Sequence, residues 1–129
     1  MSSSVAASAG TRAIERCLEL LADAGVEEAT RDAGAFYPQP VGVLVGLPTL
    51  IGRTQGGRRF RLPILVVSGD PFNTPLAVDR ALALADDVAF AVHVNNYRPS
   101  SWRSSSNAEP LPAFELDVEV LVPEEVSAP

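Results

Sequence analysis

Residues 41–69, VGVLVGLPTLIGRTQGGRRFRLPILVVSG, contain two apolar runs, VGVLVGLPTLIG and FRLPILVVSG. Between and beside them a glycine-rich tip carries Arg53, Arg58, Arg59 and Arg61. Apolar runs of this kind, separated by glycines, pair as strands, so the stretch predicts a long β-hairpin loaded with arginine at its end. Val41, Val43 and Val45 alternate with Gly42, Leu44 and Gly46. Because nearly all are apolar, the first strand should be covered on one face and touch something on the other. Pro48 then bends or interrupts it. In the second strand Pro63 removes one ladder donor, which points to an edge position or a bulge.

Upstream, apolar side chains recur at helical spacing from about Thr11 to Ala24, with Gly25 placed to end a first helix. Val26 to Gln39 is polar and irregular and reads as a connecting loop, after which Pro38 and Pro40 impose an extended approach to the hairpin. Downstream, DPFNTP offers Asn73 or Thr74 as an N-cap and Pro75 at the first helical turn, and an alanine-rich second helix follows to about His93. Its wheel puts Val78, Ala81, Ala85, Val88 and Val92 on a buried face of small residues and Asp79, Asp86 and Asp87 on the other. Phe90 falls among the aspartates. Either it is exposed and marks a subunit contact, or the helix has ended, since Phe90, Val92 and Val94 also alternate as a strand would.

The serine-rich segment 97–107 is an extended arm or a short strand. Trp102 within it is either that strand's anchor to the core or an interface residue in an oligomer, and we read it as the latter. Phe114, Leu116, Val118, Val120 and Val122 alternate with Glu115, Asp117, Glu119 and Leu121, which gives a last strand with one core face and one acidic face. The sum is an α+β fold of order α-β-β-α-β-β, two helices on a largely antiparallel sheet of about four strands with a long β-hairpin. At 129 residues, 47% of them apolar, the chain suits one domain over 11–122, with a flexible start at 1–10 and a tail at 123–129.

Charge is distributed unevenly. The chain sums to −6, so removing the four hairpin arginines leaves −10 for the rest: an acidic body with one basic finger. All ten basic residues are arginine, suited to bidentate contacts with carboxylate or phosphate. The acidic total argues against a general nucleic-acid coat. No apolar run approaches the roughly 20 residues of a membrane span. MSSSVAASAG lacks the basic start and leucine-rich core of a secretory signal, so a cytoplasmic product is expected.

The residues offer little chemistry. Cys17 is the single cysteine and shares a helical stripe with Ile14, Leu18 and Leu21, the place of a buried, inert thiol. His93 is the single histidine. Asp79, Asp86 and His93 recur every seven residues, about 10 Å apart along a helix, too far for common metal ligation. Neighbouring carboxylates (Glu27 and Glu28, Asp86 and Asp87, Glu124 and Glu125) point apart, so none is an acid/base pair. Gly56 and Gly57 precede arginines instead of a Lys-Ser/Thr pair and read as a turn, and Ser68-Gly69-Asp70 lacks the spacing of a nucleophile elbow. No catalytic, cofactor-binding or metal residues are expected.

The first helix ending at Gly25, the strands PVGVLVGLP and LPILVVSG, the NTP-capped helix and the closing strand LPAFELDVEVLV together resemble a tail terminator protein of long-tailed bacteriophages, over about 11–122. The resemblance implies a six-fold homo-oligomeric ring that caps the tail tube, stops its polymerisation and presents a docking surface to the head-side stopper or connector. Phage DNA would pass through the lumen without specific binding, helped by the acidic face of the last strand. Such a protein is assembled in the host cytoplasm and ends in the virion. The resemblance supplies no catalytic residues. From charge and exposure, Arg53, Arg58, Arg59, Arg61, Phe90 and Trp102 are the expected assembly contacts. Two alternatives are another neck protein, such as a stopper or connector adaptor, and a ferredoxin-like dimeric module that binds a ligand or regulates.

Overall fold

The computed structural model describes residues 8–103 and 109–124. Residues 1–7 of the expected flexible start, the end of the serine-rich segment from 104 on, and residues 125–129 of the expected tail lie outside them. Helix α1 spans Ala9–Asp23 and begins earlier than the apolar spacing alone places it, because the Ser8 hydroxyl accepts from the Thr11 N–H and caps the first turn. It buries Ala13, Ile14, Cys17 and Leu21. Helix α2 spans Pro75–Ala91, capped by Thr74, whose hydroxyl accepts from the Ala77 N–H and itself donates to Asp70 at 3.0 Å. Both helices end in the same backbone motif. Val26 N–H donates to the Leu21 carbonyl and Gly25 N–H to that of Ala22, while Val94 N–H donates to Ala89 and His93 N–H to Phe90. The residue in the left-handed region is Gly25 in one case and His93, at φ 59°, in the other.

Six strands form the sheet: β1 (Ala29–Thr30), β2 (Val41–Val45), β3 (Thr49–Thr54), β4 (Gly57–Ser68), β5 (Arg98–Trp102) and β6 (Leu111–Pro123). Their order is β1-β2-β4-β6-β5, with β3 also paired to β4, and β1 to β2 is the one parallel pair. The count exceeds the four strands read from sequence for two reasons. The connection before the hairpin contributes the two-residue β1 and a 3-10 turn at Ala33–Ala35. The first hairpin strand is also divided into β2 and β3, which lie end to end along β4.

Pro63 explains where that division falls. It sits mid-sheet, opposite Asp117 of β6, and not at an edge. Its carbonyl accepts from the Gly46 N–H on the β2–β3 side, so its missing donor also faces that side. There Gly46, Leu47 and Pro48 stand against Leu62 and Pro63, a bulge between the Val45–Ile64 and Thr49–Arg61 pairs. Two prolines that would each spoil a ladder are thus placed against each other at one interruption.

The helices cover one face of the sheet. Phe60, Leu62, Ile64 and Val66 of β4 and Leu116, Val118, Val120 and Val122 of β6 are buried there with α1 and α2. A smaller cluster on the opposite face joins Val67, Leu111 and Ala113 with Phe36, Leu65 and Trp102. Gly42 is required by that cluster, because a Cβ on it would lie 2.7 Å from the Phe36 ring.

Candidate functional site

Strand parity separates the four hairpin arginines. Arg59 and Arg61 point to the open face of the sheet and Arg58 to the helix side, where Arg53 lies directly opposite it across the β3–β4 ladder. Like charges facing each other across a ladder destabilise it. Arg53, Arg58 and Arg59 form no ion pair with any described residue, whereas Arg61 lies 3.6 Å from Glu119. The turn itself is Gln55-Gly56, with Gly56 at φ 91°. Its carbonyl accepts from the Glu124 N–H, which ties the end of β6 to the tip. Beside it, Ala9, Arg12, Arg58, Val122, Pro123 and Glu124 line a shallow cleft.

The acidic face of β6 is not bare. Arg98 of β5 reaches Glu115 at 2.6 Å and Asp117 at 3.4 Å, and Ser100 donates a hydrogen bond to Glu115. Glu119 is taken by Arg61 from the other side. A carboxylate row flanked by arginines presents alternating sign and offers little to repel a polyanion. Arg98 is the residue at this face that sequence reading missed. Only its register opposite Glu115 reveals it, and nothing local in YRPSSW encodes that pairing.

Phe90 is helical and 82% exposed, so the helix has not ended at this residue. Leu76 and Leu121 are also exposed, at 60% and 56%. Leu121 was visible as the apolar member of an otherwise acidic alternation. Trp102 is half-buried and meets Phe36 edge to face at 5.0 Å, so its packing partner lies within its own chain and it anchors β5. Asp86 accepts a 2.6 Å hydrogen bond from the Tyr97 hydroxyl, which raises that phenol above its ordinary pKa. Cys17 is fully buried, and burial pushes its thiol up to about 11. Among the described residues no group of three or more His, Cys, Asp or Glu is placed to hold a metal ion. Among the same residues no helix is long and apolar enough to cross a membrane.

Two hollows flank the start of α2. One of about 150 Å³ lies between Ala77, Val78, Ala81 and the Ser100, Pro112, Phe114 side, below the usual size of a small-molecule site. A wider cleft of about 370 Å³, lined by Gln39, Asp70, Leu76 and Arg80 among others, is open to solvent. Comparison of the chain with protein-family models, with curated proteins and with solved structures gives no match.

Proposed function

We propose that this chain is a structural subunit whose hairpin tip docks on an acidic surface, and that it serves as a tail terminator: a six-fold ring that caps a phage tail tube, stops its polymerisation and receives the head-side stopper or connector. The observation that carries this reading is the tip. Three arginines there have no ion pair among the described residues, and two of them face each other across a ladder at a cost to the fold. An acidic partner surface would relieve that repulsion and supply the missing ion pairs. The tail-terminator assignment rests on the sequence resemblance. A net charge of −6 agrees with DNA sliding through such a ring without being held.

Subunits close a ring through a heterologous interface, one surface meeting a different surface of the next copy. No covalent step is needed. The test is negative-stain microscopy with mass measurement on the purified chain, alone and with its cognate tail-tube protein. Six-fold rings or capped tube ends support the reading. A compact dimer indifferent to tubes overturns it in favour of the ferredoxin-like module. The Arg58→Glu, Arg59→Glu double variant is expected to stay folded and to leave tube ends uncapped; unchanged capping by that variant would remove the tip from the mechanism.

A further inference from the structure

The outward side of α2 carries a second apolar line that the fold does not use. Leu76, Ala83 and Phe90 recur every seven residues and fall on one stripe about 21 Å long, opposite the buried Ala81, Ala85 and Val88. Leu76 is 60% exposed, Phe90 is 82% exposed, and Ala83 is exposed. Asp79 and Asp86 flank the stripe on one side and Asp87 on the other. Asp79 and Asp87 form no ion pair with a described residue, while Asp86 accepts from Tyr97. Arg80 is the one cation nearby, and it lies at the Asp70 end beside the solvent cleft.

The hairpin tip has the complementary composition. Arg59 stands opposite Leu121 on the open face, and Leu121 is 56% exposed; Arg53 and Arg58 project from the other face. The open face of the tip is therefore apolar at Leu121 with Arg59 beside it, and the stripe is apolar with an acidic border interrupted by Arg80. They do not meet within one chain. The tip lies in the sheet at the Gly57 end of β4, and the outward side of α2 stands a helix diameter, about 10 Å, above that sheet.

We infer that the tip of one copy docks by its open face on the outward face of α2 of the next, with Leu121 against the Leu76–Ala83–Phe90 stripe and Arg59 against the Asp79 and Asp87 border. The contact is head-to-tail and uses a different surface on each partner, so every added copy presents a free tip and a free stripe until the assembly closes. This inference rests on the ring reading and names the surfaces that would build it.

Charge exchange tests it on the full-length protein, followed by analytical ultracentrifugation over a concentration series and by microscopy. Arg59→Glu, or Asp79→Arg with Asp87→Arg, should each weaken self-association at least about 10-fold, since like charges brought together at an interface are strongly unfavourable. The chain carrying all three substitutions should recover association to within about 10-fold of the parent. Phe90→Ser should weaken association with no change in charge. The parent should weaken as salt rises. All substituted positions are exposed, and unchanged circular dichroism with unfolding midpoints that are not markedly lowered would establish that the variants fold. Rings that form in the parent and ignore both charge reversals would overturn this inference and leave the ring reading standing. Association that follows the exchange but gives open chains would support the inference and overturn the ring. No self-association in the parent, with or without tubes, would overturn both.

Discussion

Strand β4 is one continuous element whose two halves do opposite work. From Leu62 to Ser68 it lies between β2 and β6, and nearly every side chain is buried or half-buried, on the helix side against the main core and on the other against the Phe36–Trp102 cluster. From Gly57 to Arg61 it lies between β3 and β6, and Phe60 alone reaches the main core while Arg58, Arg59 and Arg61 do not. The hydrogen-bonded partner β6 is the same throughout. Backbone pairing therefore does not distinguish the halves. What differs is the cover, helices and a loop over one and open water around much of the other, so one half specifies the fold and the other is free to carry charge.

The sharpest way to test that division is to compare equal losses on the two sides of Pro63. Ile64→Ala removes a side chain with no solvent exposure and should cost about 2–5 kcal/mol, read from the urea unfolding midpoint at constant slope. A cost below about 1 kcal/mol would mean that the covered half is not the stabilising one. Gly57→Ala comes next. Its Cβ would fall 2.8 Å from the Val122 carbonyl oxygen, so the tip must part from β6, at about 1–3 kcal/mol.

Charge changes in the outer half should be smaller, and one of them favourable. Arg53→Glu converts a like-charge pair with Arg58 into an opposite pair and should raise stability by about 0.5–1 kcal/mol, an effect that shrinks in high salt. Destabilisation by that change would show that the two arginines are held apart or already neutralised. Smallest of all, Arg61→Ala breaks a half-exposed ion pair with Glu119 and should cost about 0.2–0.5 kcal/mol by the same denaturation measurement.

Much of this was legible in the chain. The second helix follows from Thr74 and Pro75 at its start and both helices from apolar spacing along them, all of which act within a few residues, whereas the Ser8 cap that starts the first helix earlier was not read. The hairpin follows from alternation and the glycine turn. Of the candidate surface, the arginine tip was visible as a cluster in sequence, and Phe90 as a misfit on its wheel. Arg98 was not visible, because its partners Glu115 and Asp117 lie 17 and 19 residues away and only strand pairing brings them within reach. The contact of Trp102 with Phe36 was hidden for the same reason, its ring partner being supplied by a distant loop.

The sequence by itself determined the identity and faces of the elements, since capping, helical periodicity and strand alternation are short-range effects that each segment carries with it. The tertiary structure decided which faces became neighbours: that Pro63 sits mid-sheet against a bulge, that the acidic face of β6 is neutralised from both sides, and that the apolar stripe of α2 is left open. Those outcomes depend on how strands order themselves across the sheet and on which side of it the helices land. They are fixed by the burial of the whole core at once, and no single segment records them.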